Sequence, residues 1–150
     1  MPLKTSEEYL ESIKREANLY MFGEKVSQFW KHPYFKIIEP SVNAAKKTYE
    51  LAQMDQYKDL MTARSHLTGE TINRFTHIHQ SVEDLVKKVE MQRLLGQKMA
   101  CCFQRCVGFD AANALYSTTW EIDRKYDSEY HERFKRFWTD VQKQDLFVAG

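Results

Sequence analysis

The chain has 150 residues, and its 22 Lys and Arg stand against 21 Asp and Glu, leaving a formal charge of +1 with histidines neutral. That balance argues against a nucleic-acid or anionic-membrane binder, which needs surplus basic residues to displace counterions from phosphates. Hydrophobic content of 43%, charged content of 29%, 5 Gly and 3 Pro describe one soluble globular domain spanning 1–150, neither disordered nor fibrous.

The first residues, Met1-Pro2-Leu3-Lys4-Thr5-Ser6-Glu7-Glu8, carry acids where a secretory leader has its apolar stretch, and no run of about 18 apolar residues follows. The expectation is a cytoplasmic protein without a membrane span. Thr5 and Glu8 have capping-box spacing ahead of Tyr9, Leu10, Ile13, Ala17 and Tyr20, which predicts a first helix ending before Gly23. From Val26 to Pro40, two prolines within eight residues predict an irregular connector whose aromatics pack down. After Pro40, Ser41 can cap a helix through Ala44, Ala45, Tyr49 and Leu51, followed by a short helix at Tyr57–Met61. Residues 62–80 read as a loop with a short extended piece at Thr71–Phe75, long enough to suspect a function.

At Ser81 a cap with acids in the first turn opens a helix on which Val82, Leu85, Val86, Val89, Arg93 and Leu94 mark one face. From Leu94 to about Tyr126 there is no proline. Met99, Cys102, Phe103, Cys106, Val107, Leu115 and Trp120 recur at helical steps there, predicting one long helix or two joined near Gly96. A last helix over 128–144 should turn Tyr130, Phe134, Phe137, Trp138 and Val141 inward. The class is all-α, with strand content near zero. The aromatic share of 13% is high for such a domain, and reads either as an aromatic core or as apolar surface meant for a partner.

The three cysteines lie at 101, 102 and 106. An odd, clustered set points to reduced thiols rather than a disulfide framework. On a helix, Cys102 and Cys106 would share one face with β carbons about 5–6 Å apart, a spacing that suits two ligands of a cluster or half of a metal site. Cys101 would point about 100° away. Alone, this spacing is a weak signal, since free cysteine is common in helices. His77 and His79 sit two apart, while His32, His66 and His131 are isolated, and none closes a zinc-type spacing with the cysteines. All five read as solvated or hydrogen-bonded. Arg93, Lys98 and Arg105 read as a solvated helix face rather than a cofactor or phosphate site. With no Gly-rich phosphate loop, nucleophile elbow or metalloprotease helix, the chain lacks a self-contained active site.

The segment from Glu83-Asp84-Leu85-Val86 through Leu94-Leu95-Gly96-Gln97-Lys98, followed by Cys102-Phe103-Gln104-Arg105-Cys106-Val107-Gly108, resembles the N-terminal domain of the 4-hydroxybutyryl-CoA dehydratases. Supporting pieces are Tyr20-Met21-Phe22-Gly23-Glu24-Lys25, Thr48-Tyr49-Glu50-Leu51-Ala52-Gln53, Leu67-Thr68-Gly69 with Ile72-Asn73-Arg74-Phe75, and Ser117-Thr118-Thr119 with Glu121-Ile122-Asp123. The likeness runs from about Tyr9 to Leu146. These dehydratases form a branch of the 4-hydroxyphenylacetate 3-hydroxylase flavoprotein family, whose fold is like that of acyl-CoA dehydrogenases: a helical N-terminal domain, a middle β domain and a C-terminal helical bundle.

The resemblance implies the helical first domain of an enzyme that uses FAD and a 4Fe-4S cluster on a CoA thioester substrate, as dehydratase and vinylacetyl-CoA isomerase. Carried over residue by residue, Cys102 and Cys106 match two of the cluster's four ligands, and Gln104 matches a residue between them near the active site. The remaining His and Cys ligands and the flavin contacts belong to the family's later domains, so the chain reads as about the first third of a subunit. It would be inactive alone and completed by a partner chain carrying the middle and C-terminal domains. Other readings stay open: a non-catalytic helical interaction module or truncated remnant of a 4-hydroxyphenylacetate 3-hydroxylase family flavoprotein, and a small metal or redox protein using Cys101, Cys102 and Cys106 through self-association.

Overall fold

A computed structural model describes residues 3–16, 18–100 and 102–149. Six helices carry the fold among them: α1 (Ser6–Ile13), α2 (Phe35–Gln53), α3 (Asp55–Met61), α4 (Val82–Met99), α5 (Cys106–Tyr126) and α6 (Tyr130–Lys143). Two antiparallel hairpins interrupt them, β1 (Leu19–Met21) with β2 (Glu24–Val26) and β3 (Thr62–Arg64) with β4 (Thr71–Asn73). The all-α class holds, and the hairpins are its small departure. No helix among the described residues is long and apolar enough to cross a membrane.

The Thr5 capping box is formed: Thr5 Oγ1 accepts the Glu8 N–H, and the Glu8 carboxylate accepts the Thr5 N–H at 2.7 Å. The helix it starts is shorter than expected. It ends at Ile13, and Tyr20 lies in β1, 64% exposed. Phe22 and Gly23, at φ 51° and 86°, form the two-residue turn of that hairpin. Ala17, expected on the first helix, lies outside the described residues.

The helix expected after Pro40 in fact starts at Phe35 and runs through the proline. Pro40 and Lys36 are both exposed, so the carbonyl that loses its usual N–H partner to the proline ring faces water. α3 appears where expected, and residues 71–73 are extended. Within the 62–80 segment, residues 72–78 are buried. Arg74, 3% exposed, donates to the carbonyls of Asp59, Leu60 and Thr62 and so collects the free carbonyls at the end of α3. Thr76 O accepts from Trp138 Nε1 and Gln142 Nε2 of α6, which bolts the segment to the last helix.

Three packed groups follow. Leu51, Ala52, Met61, Phe75, Met91, Leu95 and Phe109 join α2, α3, α4 and α5. Ile78, Ala112, Phe134, Trp138 and Val141 join α5 to α6. Tyr9, Ala45 and Tyr49 seat α1 on α2. Several residues expected on inward faces are outside: Val82, Leu85, Val86 and Val89 on α4, Val107, Leu115 and Trp120 on α5, and Tyr130 and Phe137 on α6 are all exposed. Val82 stands nine residues, two and a half turns, before the buried Met91, so the apolar stripe of α4 points away from the core.

Candidate metal centre

The break between α4 and α5 falls at 100–105, not near Gly96. Gly96 lies inside α4, and its carbonyl accepts the N–H of Ala100, which closes the helix in the left-handed conformation at φ 50°. Cys102 is therefore in a loop, and Cys106 is the first residue of α5. The shared helical face expected for the two thiols does not exist. Cys101 lies outside the described residues.

A different device turns the site outward. Residues 102–105 alternate in burial: Cys102 and Gln104 are exposed, Phe103 is half-buried against Phe75 with ring centres 5.6 Å apart, and Arg105 is 1% exposed. Two inward anchors two residues apart leave the residues between and before them on the outer side. Gln104 takes the left-handed conformation at φ 59°, and its backbone N–H donates to Cys102 Sγ at 3.4 Å. Cys106, half-buried, sits in the first turn of α5, where the helix dipole favours negative groups.

Arg105 is not on a solvated face, as its sequence context suggested. Its guanidinium carbon lies 4.7 Å from the ring centres of both Tyr49 and Phe75 and 5.2 Å from that of Phe147. Nη1 donates to Thr48 Oγ1 at 3.1 Å, and Nη2 stands 3.8 Å from Asp145 Oδ1. Burial pushes the Asp145 carboxyl above the usual carboxylate range, with Arg105 pulling the other way. Burial also raises the Tyr49 phenol to about 12.

The histidines lie elsewhere. His77, 3% exposed, has Nε2 3.2 Å from Asp84 Oδ1, and Arg74 Nη1 is 3.4 Å from the same oxygen. Burial holds His77 below its ordinary value, so it is a neutral partner of Asp84 near pH 7. The His79 ring lies tilted against Phe109 with ring centres 4.9 Å apart, and Asn113 Oδ1 accepts its backbone N–H. His66 pairs with Tyr116 and His131 with Thr119. Sequence reasoning missed the Arg74–His77–Asp84 group; its only signal was Asp84, visible as a first-turn acid. Among the described residues no group of three or more His, Cys, Asp and Glu is gathered that could hold a metal ion. A cavity of about 650 Å³ at His66, Tyr116, Lys135 and Arg136 does not include the thiols.

The donor set fits half of a soft metal centre: two free thiols, Cys102 exposed and Cys106 half-buried, the first already accepting a backbone N–H, an interaction that also tunes cluster sulfurs.

The family model described as 4-hydroxyphenylacetate 3-hydroxylase N terminal matches residues 5–150. The 4-hydroxybutyryl-CoA dehydratase/vinylacetyl-CoA-Δ-isomerase of Clostridium aminobutyricum is 55% identical over 149 residues, 99% of this chain and 30% of that protein. An oxygen-tolerant archaeal 4-hydroxybutyryl-CoA dehydratase from N. maritimus superposes with a TM-score of 0.89 at 46% identity, over 96% of this chain and 28% of that one. The oxygenase component of a 4-hydroxyphenylacetate 3-monooxygenase, solved with FAD, superposes at 0.72 with 23% identity, over 96% and 29%, which shows a shared fold. The chain thus spans under a third of the length of these relatives.

Proposed function

Because this chain belongs to the family of 4-hydroxyphenylacetate 3-hydroxylase N-terminal domains, we propose that it is the single helical domain, or separate subunit, through which a dehydratase of the 4-hydroxybutyryl-CoA type holds half of its cluster. Cys102 and Cys106 are two ligands of a 4Fe-4S cluster, and Gln104, between them, faces the reacting substrate. FAD and the other ligands come from protein corresponding to the other two-thirds of the relatives. The observation that supports this reading is the outward presentation of Cys102 and Gln104 by a loop that turns Phe103 and Arg105 inward, with the half-buried Cys106 opening α5 directly after it.

When bound, the cluster supplies a Lewis acid for a departing hydroxyl and the flavin supplies one-electron chemistry. The chain's own residues do the rest. Cys102 presents sulfur on the outer side of the loop and Cys106 from the first turn of α5, and the Gln104 N–H polarises the Cys102 sulfur. The Gln104 side chain, exposed on the same side, can orient a CoA thioester by its amide. Phe103 and Arg105, turned inward, anchor the loop beneath Cys102 and Gln104.

The exposed stripes of α4 and α5 support the view that the domain works packed against other protein. Co-expression with a chain supplying the remaining regions should give a brown complex with flavin and iron absorbance, inactive when this chain is left out. A colourless mixture without association would overturn the proposal. Association without colour would favour a non-catalytic interaction module.

A further inference from the structure

Arg105 occupies an unusual place. A fully buried cation sits one residue from each of Gln104 and Cys106, and three aromatic rings from three different segments close around it. Tyr49 belongs to α2, Phe75 to the turn after β4, and Phe147 to the segment after α6. Its Nε and Nη2 atoms and Asp145 Oδ1 are buried without hydrogen-bond partners, because the 3.8 Å separation is too long for one. Desolvation this costly does not favour stability by itself, and an apolar side chain of similar volume would often serve the core as well. What the guanidinium provides is orientation: a flat ion enclosed by three rings and tied at one corner to Thr48 is restricted in how it can sit.

That orientation is passed on through the backbone. Asp145 is itself fixed, since its carboxylate accepts the Lys4 N–H at 3.0 Å and its carbonyl accepts from Tyr49 Oη at 3.1 Å and Lys4 Nζ at 3.1 Å. The rivet therefore ties both ends of the described chain to α2 and holds the loop between α4 and α5 against them. Phe103 is only half-buried, which leaves Arg105 as the deep anchor of the loop.

We infer that Arg105 is the positioning residue of the two-thiol segment: its ring-enclosed guanidinium sets the spacing of Cys102 and Cys106 and the outward direction of Cys102. The inference rests on the reading of those thiols as paired ligands. An ammonium group has no plane to stack, so lysine cannot replace arginine here even with the charge retained.

The test uses the full chain with Cys101→Ser and a nitroxide label on each of Cys102 and Cys106, read by dipolar line broadening. The parent should give one narrow distance distribution. Arg105→Lys should widen it about twofold or more, since charge without the planar stack does not hold the loop. Arg105→Met with Asp145→Asn, which leaves no lone buried charge, should keep a cooperative thermal melt and show the same widening. Unchanged distributions in folded variants would overturn the inference. So would a double variant that fails to fold, because Arg105 would then be an ordinary core residue. A colourless co-expressed complex together with the predicted widening would remove the cluster reading and leave the positioning role; a brown complex with unchanged spectra would do the reverse.

Discussion

Gly108 lies under the backbone carbonyl of Val148: a methyl group added at Gly108 would overlap that carbonyl and stand 2.7 Å from Val148 Cγ1. The segment after α6 thus crosses α5 two residues beyond Cys106, at a point where only a missing side chain permits contact. Alanine at 108 would gain up to about 1 kcal/mol of helix propensity but incur roughly 1–3 kcal/mol of overpacking against backbone that cannot swing away. Gly108→Ala should therefore destabilise by about 1 kcal/mol or more in urea unfolding. Gly96→Ala, with nothing within 4 Å of the new methyl, should instead stabilise by up to about 1 kcal/mol. Equal effects at the two sites would contradict the close approach.

Acid should weaken the fold through Asp84 and His77. Burial pushes the Asp84 carboxyl up most strongly, but the Gln80 N–H, His77 and Ser81 Oγ together hold it at about 2, below 3.8. A carboxyl lower in the folded state stabilises above its unfolded value, and that stability is lost as pH falls from 3.8 toward 2. His77, held below 6.5 by burial, acts in the same direction earlier, because below 6.5 the unfolded chain binds a proton the folded chain refuses. Asp84→Asn should cost on the order of 2 kcal/mol at pH 7, with the gap from the parent closing by about pH 2. A gap undiminished at the lowest pH would point to the lost hydrogen bonds alone.

Two substitutions at Gln104 separate its backbone from its side chain. Glycine accepts φ 59° readily and keeps the N–H on Cys102 Sγ, whereas a β-branched residue resists that conformation. In the co-expressed complex, Gln104→Gly should retain iron and lose roughly 10- to 100-fold in turnover, while Gln104→Val should lose iron as well. Full turnover with glycine would show that the amide takes no part.

The stripe on α4 offers a surface test. Val82, Leu85, Val86 and Val89 are 77%, 49%, 50% and 45% exposed. Leu85→Glu with Val89→Lys places a favourable pair one turn apart, so the isolated chain should stay within about 0.5 kcal/mol of the parent. Association with a chain carrying the regions of the relatives that lie beyond this one should drop at least tenfold in co-purification. Marked destabilisation of the isolated chain would mean that the stripe already packs within this domain.

Local chemistry was legible wherever it acts locally. The Thr5–Glu8 and Ser81 caps, the short α3 and the extended residues at 71–73 all follow from neighbours in the chain. The start of α2 was hidden because the usual proline penalty is relieved by water at an exposed turn. The end of α4 was hidden because residues 97–105 contain no glycine or proline to signal it. Exposed apolar residues on α4 and α5 could not be told from core residues, since periodicity marks a face without saying what covers it.

The same division runs through the candidate site. Chain order supplies the residue types, two thiols four apart with an amide between them, and the resemblance to a family. How those residues are shown depends on contacts made in three dimensions. Outward presentation comes from Phe103 and Arg105 turning into a core built by α2, the turn after β4 and the segment after α6, contacts made across dozens of residues. A buried guanidinium and a surface one have the same local sequence; what separates them is whether three rings from distant segments meet around it.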